Sequence, residues 1–240
     1  MQRYITVLFF FAGIFIIQFV VAQPFSDQTK SPCIACEALK ELRLPDVTVS
    51  EATAIDDENG TYCKLLGTIS KEINFELLLP DTWNERFLMS GGGGFVGSIQ
   101  NGLSGRVKDG YVTAGTDTGH QGHGLKADWA YHNMERQLNF GRLAIHRTAV
   151  VSEAIIRSYY CADAAYSYFI GCSRGGGQAL IEAQLFPEDF DGIVAGAPVI
   201  DWPATAAEFI QNSQSVYPNP AQLDKAVISP IHLKLLQELV

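Results

Sequence analysis

The residues Gly171-Cys172-Ser173-Arg174-Gly175 fit the pattern Gly-x-Ser-x-Gly. This pattern does chemistry on a sharp turn from a strand into a helix, where glycine two places either side of the serine leaves room for the bend. The serine hydroxyl then projects from the carboxyl edge of a sheet. It sits beside the positive end of the following helix, where developing negative charge is stabilised. The flanks have the right character. Tyr166-Ser167-Tyr168-Phe169-Ile170 reads as a strand running straight into the turn, and Gln178 to Phe186 reads as a helix stopped by Pro187. Ser173 is therefore the candidate nucleophile of an acyl transfer, with Gly171 and Gly175 as the glycines of its elbow.

A carbonyl under attack needs N–H donors for its oxygen. A strand end followed by a glycine run, Ser90-Gly91-Gly92-Gly93-Gly94-Phe95, offers them. Where a serine sits on such an elbow, one donor is the N–H of the next residue and the other comes from a loop after an earlier central strand. Arg174 and either Gly93 or Gly94 are thus the candidate oxyanion donors, each worth roughly 3 kcal/mol of barrier when well placed. No Gly-Lys-Ser/Thr follows the glycines, and no acidic residue follows at dinucleotide spacing, which argues against a phosphate-binding loop.

The serine also needs a base, and the base an acid to orient it. In this chain order both follow the serine. The only histidine after Ser173 is His232, in a helix-like stretch, and Asp201 and Asp224 are the acids to nominate. A helix just past the next strand does not return to the sheet edge, so none of the three is assigned as base or acid. His120 and His123 precede the serine and lack a convincing third metal ligand, so they read as hydrogen-bonding loop residues. His132 and His146 read as structural, and no metal ligand is assigned.

The positioning elements follow from periodicity. Ile73, Phe75, Leu77 and Leu79 alternate with Asn74 and Glu76 up to Pro80, a strand pattern. Phe87-Leu88-Met89 enters the glycine run, and Tyr111-Val112-Thr113-Ala114 ends in the polar loop Gly115 to Gly124. Gly141 to Tyr160 has the mixed threes and fours of an amphipathic helix. Gly192 to Ala197 reads as the next buried strand, and the pattern turns helical after Pro203, including Ile231 to Val240. Alternating strands and helices predict an α/β domain with a mainly parallel sheet covered on both faces. Strand, glycine loop, strand, long helix, strand, elbow, helix, strand is the central run of an α/β-hydrolase.

The 240 residues carry a net charge of −9, so no broad basic surface is offered to nucleic acid. In the first 22 residues Arg3 is the only charge, and an apolar run from Ile5 ends at Val20-Val21-Ala22, the pattern of a cleaved signal peptide. This predicts export to an extracellular or periplasmic compartment, with no membrane attachment after cleavage; the alternative is a retained membrane anchor, since the run approaches the roughly 20 residues that span a bilayer. Five cysteines, Cys33, Cys36, Cys63, Cys161 and Cys172, then favour disulfides over zinc or catalytic thiols. Five is odd, so at least one stays unpaired within the chain. Asn59-Gly60-Thr61 is a glycosylation sequon in a polar loop.

Several stretches carry a resemblance. Leu79-Pro80-Asp81-Thr82-Trp83-Asn84-Glu85-Arg86-Phe87, the glycine run with Phe95, Asn139-Phe140-Gly141 with His146, Tyr168 to Ser173, and Phe186 to Pro198 are similar to the tannase and feruloyl esterase family of secreted serine esterases. The likeness runs from about Cys36 to the end. It implies hydrolysis of small esters of aromatic acids such as gallate or ferulate, with a lid domain inserted between the serine and the rest of the triad. It also implies a Cys36–Cys63 disulfide and a partner for Cys172 just after the catalytic histidine, a partner this chain lacks. The pairing of Cys33 and Cys161 is left open, because Cys161 stands where the family more often has glycine.

The resemblance divides the chain into a leader (1–22), the first part of the hydrolase domain (23–202) and the start of a lid (203–240). The last strands and most of the lid are then missing, and the chain alone is expected to be unstable or prone to aggregate. No cofactor is implied here, since the family's lid calcium site lies past the end. Near the serine the family commonly reads serine, threonine, two glycines, arginine. Arg174 takes the threonine place and Gly177 the arginine place, so the Arg174 side chain is expected to alter the pocket rim and substrate preference or activity. A secreted binding protein that keeps the fold without the base is the alternative function.

Overall fold

A computed structural model of the chain describes residues 29–216. The leader, Asp224, His232 and the helical reading of Ile231 to Val240 lie outside the described residues. Three strands come first: β1 (Val47–Asp57), β2 (Gly60–Ile69) and β3 (Ile73–Pro80). They form an antiparallel meander, with Asp57 opposite Gly60 and Ile69 opposite Ile73. The first turn is made by Glu58-Asn59. The Asn59 N–H donates to the Asp57 carboxylate at 2.7 Å, and Gly60, the first residue after the turn, takes φ +94°, which glycine adopts without steric cost.

From here strands and helices alternate. The chain continues through β4 (Arg86–Ser90), β5 (Val112–Thr116), the short helix α1 (Met134–Leu138), α2 (Ala144–Tyr160), β6 (Tyr166–Cys172), α3 (Arg174–Leu185), β7 (Gly192–Gly196) and α4 (Trp202–Val216). The sheet order is β1-β2-β3-β5-β4-β6-β7. Strand β4 is parallel to β5 and β6, and β6 is parallel to β7, while β3 meets β5 antiparallel. The α/β class holds, but the sheet is mixed rather than mainly parallel, because the three hairpin-linked strands add an antiparallel half.

One face is covered by α2 and α3. Ile145, Ala149, Ile155, Ile156 and Tyr159 of α2 are buried in a core with Phe75, Leu77, Phe87, Met89 and Phe169. On the other face a 3-10 helix, Ser104–Asp109, brings Val107 onto Tyr62 and Leu78. Further along that face Ile170 and Val194 are 38% and 57% exposed. Strand β7, expected to be buried, is therefore half-covered: β6 is its one neighbour among the described residues. The long helix also starts differently from its periodicity. A π-helical turn, Asn139–Leu143, precedes α2, and within it the Phe140 carbonyl accepts a hydrogen bond from Arg174.

Two disulfides tie the N-terminal arm down. Cys36 pairs with Cys63, as the resemblance implies, and Cys33 pairs with Cys161 across 128 residues. In the chain-entropy view a cross-link that long is worth about 5 kcal/mol. Cys172 is free and exposed. The departure at Cys161 has a physical reason: it ends α2 at φ +54°, the left-handed conformation that glycine adopts most easily. With Cys33→Ser in place to remove the bridge, Cys161→Gly should be more stable than Cys161→Ala by about 1 kcal/mol in urea unfolding. Equal midpoints would show that no backbone strain is stored there.

Candidate active site

Ser173 stands between the last residue of β6 and the first of α3, at φ +58° and ψ −118°. A non-glycine residue there costs about 1–3 kcal/mol and persists when its surroundings fix it. They do so through the backbone. The Ser173 N–H donates to the Gly196 carbonyl at 3.0 Å, and its carbonyl accepts from the N–H groups of Val199 and Gly177, both at 3.1 Å. A Cβ on Gly171 would overlap the Gly175 carbonyl oxygen, and one on Gly176 would overlap that of Gly196. The glycines after Arg174 thus allow the helix start to press against β6 and β7. The serine itself is exposed, and no described residue hydrogen-bonds its hydroxyl.

The glycine run lies directly against this bend. A Cβ on Gly91 would come within 2.7 Å of Gly175 Cα, and one on Gly175 within 3.1 Å of the Gly91 carbonyl carbon. The buried Gly92 N–H donates to Gln178 Oε1 on α3 at 3.0 Å. Of the two glycines predicted as oxyanion donors, Gly93 gives its N–H to Gln100 Oε1 at 2.7 Å. Gly94, at φ +55°, has no such partner among the described residues. The roles of Gln178 and Gln100 are not legible in the sequence, since a glutamine that caps a distant amide leaves no spacing signal.

Arg174 corrects a second expectation. Its side chain does not form the pocket rim: it turns inward and is 4% exposed. Nη2 donates to the Phe140 carbonyl, and Cζ lies 4.2 Å from the Phe140 ring centroid. Burial lowers its pKa to about 10, still well above neutrality. Phe140 belongs to an aromatic group with Phe95, Trp129 and His120, and Phe95 also stacks on Trp202 at the start of α4 at 5.0 Å.

The remaining polar candidates are occupied elsewhere. His120 is buried, stacks on Trp129 at 3.6 Å and bonds through Nε2 to the Phe95 carbonyl at 2.8 Å, with burial lowering its pKa. His123 accepts the Leu125 N–H. His146 bonds Asp189 at 2.7 Å and stacks on Phe186, while the buried Glu182 nearby is pushed up to about 8, chiefly by burial. Asp201 caps α4 by accepting the Ala204 N–H at 3.1 Å. Among the described residues no three His, Cys, Asp or Glu side chains gather as a metal site.

A strand-turn-helix serine facing a glycine loop occurs in several esterase lineages, and the whole sequence distinguishes them. The profile of the family described as tannase and feruloyl esterase matches residues 60–240. The chain belongs to the tannase and feruloyl esterase family. The probable feruloyl esterase of Arthroderma benhamiae is 44% identical over 155 residues, covering 60% of this chain and 29% of that protein. An esterase of Xanthomonas campestris pv. campestris is 34% identical over 227 residues, covering 87% and 39%. Among solved structures, feruloyl esterase B from Aspergillus oryzae superposes with a TM-score of 0.61 at 30% identity, covering 68% of this chain and 36% of that one. Tannin acyl hydrolase from Aspergillus niger, at 24% identity and TM-score 0.58, shares the fold. The chain thus spans about three to four tenths of the curated relatives just named.

In this member of the tannase and feruloyl esterase family, the Gln178 side chain adds a hydrogen bond from the elbow helix to the glycine loop, beside the backbone contact of Gly91 with Gly175. Gln178→Ala strands the buried Gly92 N–H and should destabilise the fold by about 1–3 kcal/mol. Hydrogen exchange across residues 91–94 should accelerate in the variant. Unchanged exchange would show that the loop is held by other contacts.

Proposed function

We infer that this chain carries the nucleophile and oxyanion half of a carboxylic ester hydrolase acting on esters of aromatic, phenolic acids. The observation that supports this most is the exposed Ser173 at positive φ at the junction of β6 and α3, on an elbow whose Gly175 packs on Gly91 of the glycine loop. Family membership supports the substrate class. Ser173 Oγ attacks the ester carbonyl carbon and hands its proton to a histidine base, which with its acid lies outside residues 29–216. The carbonyl oxygen takes up negative charge and is held by the Arg174 N–H at the start of α3 and by an N–H of the glycine loop. Gly94 fits that second role better than Gly93, whose N–H is already bonded to Gln100. The alcohol then leaves with the proton from the histidine, and water attacks the acyl-enzyme to release the acid and restore Ser173. The disulfides suit an exported enzyme.

The test is hydrolysis of 4-nitrophenyl ferulate followed by nitrophenolate release. Ser173→Ala should lower kcat/KM by at least about a thousandfold. A rate that survives this substitution would overturn the serine mechanism. Binding of the ester without turnover, when the histidine base and its acid are present in the protein assayed, would support the non-catalytic binding reading instead.

A further inference from the structure

The Arg174 guanidinium is buried, charged and short of partners. Among the described residues its hydrogen bonding ends with the Nη2 bond to the Phe140 carbonyl, and Nε is buried with no acceptor. Burial alone perturbs its ionisation, with no carboxylate contributing. An isolated buried cation is costly. This one is also anchored on the first turn of α3, where the helix adds positive potential. Both facts make the place attractive to an anion.

A cavity of about 430 Å³ lies beside it, within the roughly 300–1,000 Å³ of small-molecule sites. Its walls include Phe140, Arg174, Leu180, Ile181 and Trp202, so two aromatic and two aliphatic residues share the lining with one cation. Gly177 belongs to the same wall: a Cβ there would stand 3.6 Å from Arg174 Nη1, so its absence leaves that end of the guanidinium uncovered by a side chain at this position. Ser173 is not among the lining residues, which sets the cavity apart from the exposed side of the elbow.

We propose that this cavity binds an aromatic monocarboxylate, with its ring against Phe140 and Trp202 and its carboxylate on the Arg174 guanidinium. One cation in a largely apolar wall matches a single negative charge on an apolar body and disfavours a polyanion. The inference stands independently of catalysis, so its test uses the full chain with Ser173→Ala, where no turnover can contribute.

Calorimetric titration with benzoate, neutral benzamide and inorganic phosphate reads the site directly. Benzoate should bind at least tenfold more tightly than either of the others. Adding Arg174→Gln should weaken benzoate at least tenfold and leave benzamide unchanged, with circular dichroism verifying the fold. Leu180→Trp, at a position 40% exposed on the cavity wall, should weaken benzoate and benzamide together without removing the cation. No benzoate binding at millimolar concentration, equal affinity for benzamide or phosphate, or binding untouched by both variants would overturn the proposal.

Discussion

At the carboxyl ends of β4 and β6 two stretches of backbone meet with no side chain between them. Gly91 lies on Gly175, Gly171 lies under the Gly175 carbonyl, and Gly176 lies on Gly196. Any Cβ at these places would push the strands or the helix apart. The close approach is what brings the serine turn and the glycine loop to one place, and it leaves α3 starting on three glycines, each weakening a helix by about 1 kcal/mol relative to alanine. Local propensity cannot hold that first turn. Tertiary bonds do, from Ser173 to Gly196 and Val199 and from Gln178 to Gly92.

This origin explains which parts could be read in the sequence. Glycines demanded by close contact occur at fixed offsets from Ser173, so the elbow and the loop were legible, as were the flanking strand and helix from their periodicity. Strands β1 and β2 leave a fainter pattern in the sequence. In β1 a single residue, Ala52, is buried, so its apolar alternation is weak, and the turn after it shares Asn59 with a glycosylation sequon that reads equally well as a plain loop. The inward turn of the Arg174 side chain is hidden in the sequence for a similar reason. Its partner, Phe140, lies 34 residues upstream in a π-helical turn, and nothing in the local pattern distinguishes an inward arginine from an outward one.

Arg174 therefore has two separate aspects. Its backbone N–H is set by the helix start, as that of any residue at this position would be. Its side chain instead links α3 to the π-helical turn before α2 through Phe140, whose ring neighbours Phe95 at the end of the glycine run. Phe95 in turn stacks on Trp202, so the start of α4 is joined to the same aromatic group. The serine is thus held by a backbone junction with β7 and α3, and the next residue, Arg174, reaches the aromatic group through Phe140.

The central claim is geometric: the Ser173 hydroxyl shares a small volume with the amides that would stabilise its tetrahedral adduct. The most direct test is a crystal structure of the chain after treatment with an aryl fluorophosphonate. The account predicts a covalent adduct on Ser173 whose phosphoryl oxygen lies about 2.7–3.1 Å from the Arg174 N–H nitrogen and from a glycine-loop nitrogen, Gly94 foremost. An adduct on another residue, or a phosphoryl oxygen turned away from both amides, would contradict it.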